Sequence, residues 1–232
     1  MGQDELKQVI ASLAEKASNK QFIYRTTLEV FTDFKHALST IADKLHAHFV
    51  KTDPSVEIYY RERGEFEAEI KFSGDVLIFS MHTNVFNFDP EHSIHKLDYV
   101  KQDAKRIYCG LIQVHNFLAD SIKYNRVNDI GYLVARIFIN KEKHFFIEGK
   151  GQLGFLYEDF SNMVINRETI EDIIITGVQY CLDFELLTPP YEQVQEVTLM
   201  DRQEEFANSG IATGKHLGFQ FRAEVEKGRS KS

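Results

Sequence analysis

The sequence predicts an α+β fold: an antiparallel sheet of about five to six strands packed against N-terminal and C-terminal helices. Three observations carry this. Apolar residues recur at helical spacing up to residue 52, alternate with period two from Val56, and return to helical spacing after residue 166. The 232 residues are 43% hydrophobic and 27% charged, and 19 Phe with 10 Tyr supply enough apolar surface for a full core in a chain without Trp.

The first segment, about 4–18, sets Leu6, Val9, Ile10, Leu13, Ala14 and Ala17 on one helical face behind Asp4. A break is expected around Lys20–Arg25, because Thr26-Thr27-Leu28-Glu29 has the form of a capping box opening a second helix. That helix, about 26–51, carries Leu28, Phe31, Phe34, Leu38, Ile41, Leu45 and Phe49 and stops at Asp53-Pro54. From Phe31 its three-then-four spacing also fits a coiled-coil seam, so it can cover a sheet or join two copies.

The sheet is expected over about 56–150. Val56, Ile58 and Tyr60 alternate with Glu57, Tyr59 and Arg61, and after Arg63-Gly64 the run Phe66, Ala68, Ile70, Phe72 alternates with charged residues, giving a hairpin with one wet face. Val76–Phe88 reads as one interior strand whose first half is apolar on both faces. Asp89-Pro90 opens a polar excursion to residue 105. Ile107–Leu118 fits both a strand and a helical stripe, and the reading leans to strand. Tyr132–Asn140 and His144–Glu148 form a second hairpin. A helix over 166–183, behind Asn166 and Thr169, completes a single domain at 1–190. Residues 191–232 read as an extension packing on the domain or a partner: an acidic helix over Tyr191–Asn208, a strand-like Gly218–Val225 and a frayed basic end.

The net charge of −8 argues against a nucleic-acid partner. The apolar runs are too short for a membrane span, and the polar start does not read as a signal peptide. Cys109 and Cys181 sit in apolar contexts without metal-ligand spacing, pointing to a reducing, cytoplasmic setting with neither disulfide nor zinc.

No motif names a reaction, so no catalytic residue, cofactor or metal is assigned. His82, Asp89, Glu91, His92 and His95 are the densest potential ligand set, but their spacing fixes no common face. His46 and His48, two apart on a helix, point to different sides and serve its C-terminus. Gly210–His216 only partly resembles a phosphate loop, with its glycines one residue too close and His216 in the hydroxyl position. Candidate ligand-binding residues lie in two groups. Asn116, Asp120, Tyr124 and Arg126 belong to a polar stretch joining two strands, where Arg126 could clamp an anion. Arg136 interrupts an apolar strand between Val134 and Phe138 and, if buried, requires a carboxylate or a ligand. His82 and Asn84 add polar groups on a neighbouring strand.

In element order alone, with two leading helices, an antiparallel sheet carrying an excursion, and a following helix, the chain resembles GAF and PAS domains and helix-grip cavity folds. Such a resemblance does not transfer function. The expectation is a non-enzymatic ligand-binding or protein-interaction module, homodimeric through the long helix or the C-terminal segment. The alternative is an enzyme acting on a small anionic substrate, with Arg126 and Arg136 as clamps and His82 as acid or base.

Overall fold

In the computed structural model, which describes residues 3–184, 188 and 190–200, the N-terminal region is one helix. Helix α1 runs unbroken over Gln3–Thr52. The expected break at Lys20–Arg25 is absent, since that stretch holds no Gly or Pro to interrupt the backbone ladder. The residues read as a capping box are used otherwise. The Thr26 and Thr27 hydroxyls donate back to the carbonyls of Phe22 and Ile23, at 3.1 and 2.8 Å, and Glu29 accepts from Lys143 at 2.8 Å.

Six strands follow: β1 (Ile58–Glu62), β2 (Glu67–Phe72), β3 (Asp75–Met81), β4 (Cys109–Leu118), β5 (Tyr132–Asn140) and β6 (Phe145–Gly149). They pair antiparallel in sequence order, a meander without crossovers. The ambiguous segment is thus a strand, β4, with Ile112 and Val114 buried in one apolar cluster and Cys109 and Leu111 in another. Strand β3 stops at Met81, short of the expected Phe88. Beyond it the backbone bonds to β4 through the His82 amide on the Leu111 carbonyl and a bridge from Phe86 to Cys109.

One face of the sheet is dry. Phe31, Phe34, Leu38 and Ile41 of α1, with Ile170, Ile173 and Ile174 of helix α5 (Arg167–Leu182), form one apolar cluster with Ala68, Ile70, Leu77, Phe79, Ile112 and Ile137. Asn166 caps α5, accepting from the Thr169 amide at 2.9 Å. Helix α1 approaches β4 so closely that a Cβ on Gly110 would stand 2.0 Å from the Thr27 hydroxyl.

The other face is split. Residues 82–108, with short helix α2 (Asp98–Gln102), fold over one half and build a second cluster from Ile94, Val100, Ile107, Leu111, Phe138, Phe146 and Phe160. The other half is left as the wet face expected of an antiparallel sheet. A bulge between β4 and β5 turns Val134 and Ala135 both inward, so Arg136 lies on the opposite face from Val134, not the same one. Short helices α3 (Ala119–Lys123), α4 (Leu153–Leu156) and α6 (Tyr191–Val194) serve connections. The expectations for Gly210–His216, Gly218–Val225 and the basic end lie outside the described residues. Of Tyr191–Asn208, only the α6 turn and the residues to 200 are described.

Candidate functional site

Strand register places Glu67, Ser80, Gln113, Arg136 and Glu148 side by side across five strands of the split face, along the border between its covered and open halves. Arg136, its side chain 44% exposed, forms a close ion pair with Glu148 directly opposite and lies 5.5 Å over the Phe138 ring. The other Glu148 oxygen is 3.8 Å from His92 Nε2, and the His92 ring sits beside Phe88 and Phe146. Arg136, Glu148 and His92 therefore tie the sheet to its cover.

The next row on the open half holds Arg61, Glu69, Ile78, His115 and Leu133. Glu69 is fully buried beneath two arginines. Arg61 donates to Oε1 at 2.7 Å, and Arg63 Nε stands 2.5 Å from Oε2, out of line for a hydrogen bond. Burial holds the His115 imidazole below its ordinary pKa, with Glu67 opposing.

The other sequence-predicted residues lie elsewhere. The His82 ring accepts from the Asn84 amide at 3.0 Å and packs on Phe86 at 4.8 Å, while Asn84 is exposed in the loop. Asn116 is on the dry side of the sheet, where it donates to Asp75 at 3.0 Å. The Arg126 side chain, 7% exposed, pairs with Asp129 at 3.0 Å, and Ser121 donates to the same carboxylate. That arrangement closes the loop after α3 internally. Asp120 and Tyr124 are exposed on its rim, with the Lys123 ammonium 5.3 Å over the Tyr124 ring. The seven positions thus fall in three places: the split face and its adjoining loop, the dry face, and the loop after β4.

Sequence reasoning missed a polar cluster built around Asn140. Asn140, fully buried, donates to the Tyr99 hydroxyl and the Arg106 carbonyl and accepts from the amides of Glu142 and His144. Tyr99 donates to Glu142 at 2.8 Å, stacks on His144 at 4.5 Å, and lies under the Arg106 guanidinium at 4.3 Å. Burial, aided by the Glu142 carboxylate, pushes the Tyr99 hydroxyl up to about 12. A phenol so held is a donor, not a base, and the cluster pins the cover to the β5–β6 turn. Its members come from segments about 40 residues apart, so no local spacing announces them.

An open cleft of about 370 Å³ is lined by Asp33, His36, Ala37, Ser39 and Thr40 of α1 with Arg167, and Arg167 is already paired with Glu171 at 3.2 Å. Burial raises the thiol pKa of both Cys109 and Cys181, the latter to about 12, so neither is poised as a nucleophile. Among the described residues, no three His, Cys, Asp or Glu side chains converge to hold a metal ion, and no helix is long and apolar enough to cross a membrane.

Among the described residues, the start of α1 exposes a run of apolar side chains. Residues 4–18 are exposed throughout, with Leu6 at 61%, Val9 at 52%, Ile10 at 56% and Leu13 at 60%, and Ile23 is the first residue to enter the core. Fold and surface together define an α+β meander with a projecting amphipathic arm. The chain matches no protein-family model, no curated protein and no solved structure.

Proposed function

We propose that this chain is a non-enzymatic protein-interaction module, in which the sheet domain is a rigid scaffold and the first five turns of α1, roughly, are the contact surface. The observation that carries the reading is the exposed stripe of Leu6, Val9, Ile10 and Leu13. A lone helix of this length is marginal in water, and contiguous exposed apolar surface marks a contact. The enzyme alternative draws less support, because both proposed clamps already face carboxylates, Arg136 on Glu148 and Arg126 on Asp129.

A thermal-shift screen of anionic metabolites, with Arg136→Ala and Arg126→Ala as controls, tests the reading, since a ligand that binds the native state raises its melting temperature. The expected result is no shift that depends on either arginine. A metabolite whose stabilisation disappears in Arg136→Ala would overturn the interaction-module reading in favour of a small-ligand site.

A further inference from the structure

We infer that the outer edge of β1 is a strand-addition site, and that its occupant is the chain's own segment Phe219–Glu226, which lies outside the described residues. The two edges of the sheet differ. Against β6, the Phe145 amide donates to the Met163 carbonyl at 3.1 Å and the Ile147 amide to the Tyr157 carbonyl at 2.8 Å, so that edge is sealed. Strand β1 bonds to β2 through its odd positions, since the Ser73 amide donates to the Glu57 carbonyl and the Arg63 amide to the Glu67 carbonyl. The amides and carbonyls of Ile58, Tyr60 and Glu62 therefore point away from the sheet, and no described residue pairs with them. Such an edge is a template for another strand.

The side chains along the edge select the strand that fits. On the split face, Arg61 and Arg63 share the buried Glu69 and remain 48% and 33% exposed, with Glu67 adding a longer contact to Arg63 at 3.6 Å. On the dry face, α1 runs back along β1: it ends at Thr52 beside the start of the strand, while Lys35 donates to the Gly64 carbonyl beyond its end at 2.9 Å. Val56 and Tyr60, with Leu45 and Phe49 of α1, are only partly buried. The occupant must therefore alternate, apolar toward α1 and acidic toward the arginines. In the chain's own sequence, Phe219, Phe221, Ala223 and Val225 alternate with Gln220, Arg222, Glu224 and Glu226. Parallel addition sets Glu224 and Glu226 beside Arg61 and Arg63, Arg222 beside Tyr59 and Phe221 beside Ile58. Antiparallel addition with the two acids on the same two arginines carries Phe219 and Phe221 past the end of β1. Reach is sufficient, because the stretch from Met200 to Phe219 can extend about 60 Å, more than the roughly 45 Å across a domain of this size.

Amide hydrogen exchange on the full chain tests this. The expected result is that the Tyr60 and Glu62 amides are protected, and that Phe221→Asp, or Glu224→Lys together with Glu226→Lys, speeds their exchange at least about 10-fold. The Tyr59 and Arg61 amides, which face β2, should not change. Under mild oxidation, Tyr59→Cys should cross-link within one chain to Arg222→Cys faster than to Gly228→Cys, the position that antiparallel addition would bring to it. Tyr60 and Glu62 amides that exchange as open backbone, protection indifferent to the changes at 221, 224 and 226, protection that rises with protein concentration, as pairing of β1 with a second copy would give, or faster cross-linking to Gly228→Cys would each overturn the inference. None of those outcomes bears on the arm or on the metabolite screen.

Discussion

The two halves of helix α1 are built from the same kinds of residue at the same spacing, yet they meet opposite environments. Phe31, Phe34 and Leu38 are fully buried against the sheet, whereas Leu6, Ile10 and Leu13 are bare. An apolar stripe at helical spacing states that something will cover it, not whether the cover belongs to the same chain. The sheet repeats the contrast, with one face sealed by α1 and α5 and the other half covered and half wet.

The largest expected effect separates the two halves directly. Phe34→Ala, which removes a ring 5.7 Å from Phe79 in the sealed half, should cost about 3–5 kcal/mol in denaturant unfolding. Leu13→Ala in the arm should leave the dilute monomer within about 0.5 kcal/mol of the parent. Equal losses would mean that the arm is sealed against its own domain and would break the comparison. Next, Gly110→Ala should cost about 1–3 kcal/mol by chemical denaturation, because its methyl must displace Thr27 or lift α1 from β4.

The contrast between sheet faces has a pH signature. Since burial depresses the His115 pKa, the unfolded chain takes up that proton first as pH falls. Stability contributed by neutral His115 is complete above the ordinary histidine range and declines as pH drops toward its lower folded value. Melting curves on either side of pH 6 should therefore show His115→Gln losing less stability on acidification than the parent. The smallest effect belongs to Glu15→Ala, which breaks an exposed ion pair and should change domain stability by less than about 1 kcal/mol.

Much of the fold was legible in the sequence. Period two from Ile58 to Phe72 located the first hairpin, the alternation of Tyr132–Asn140 located the second, and Asn166 announced α5. The unbroken α1 was not, because Thr26 and Glu29 have the local chemistry of a helix start. Only their partners, the Phe22 carbonyl and Lys143, show that they serve a helix interior. The bulge that moves Arg136 away from the face of Val134 leaves no mark in the residue pattern, because Val and Ala suit either parity. The Asn140 cluster was illegible for a different reason: its hydrogen bonds join Tyr99 and Arg106 to a turn far along the chain, and Asn140 alone reads as an ordinary turn residue.

Hydrogen exchange along α1, measured on the full chain at high dilution, tests the claim that the arm stands clear of the domain that seals the rest of the helix. Amides over 4–18 should exchange much faster than those over 26–42, which are packed against the sheet. Equal protection over the two stretches would contradict it.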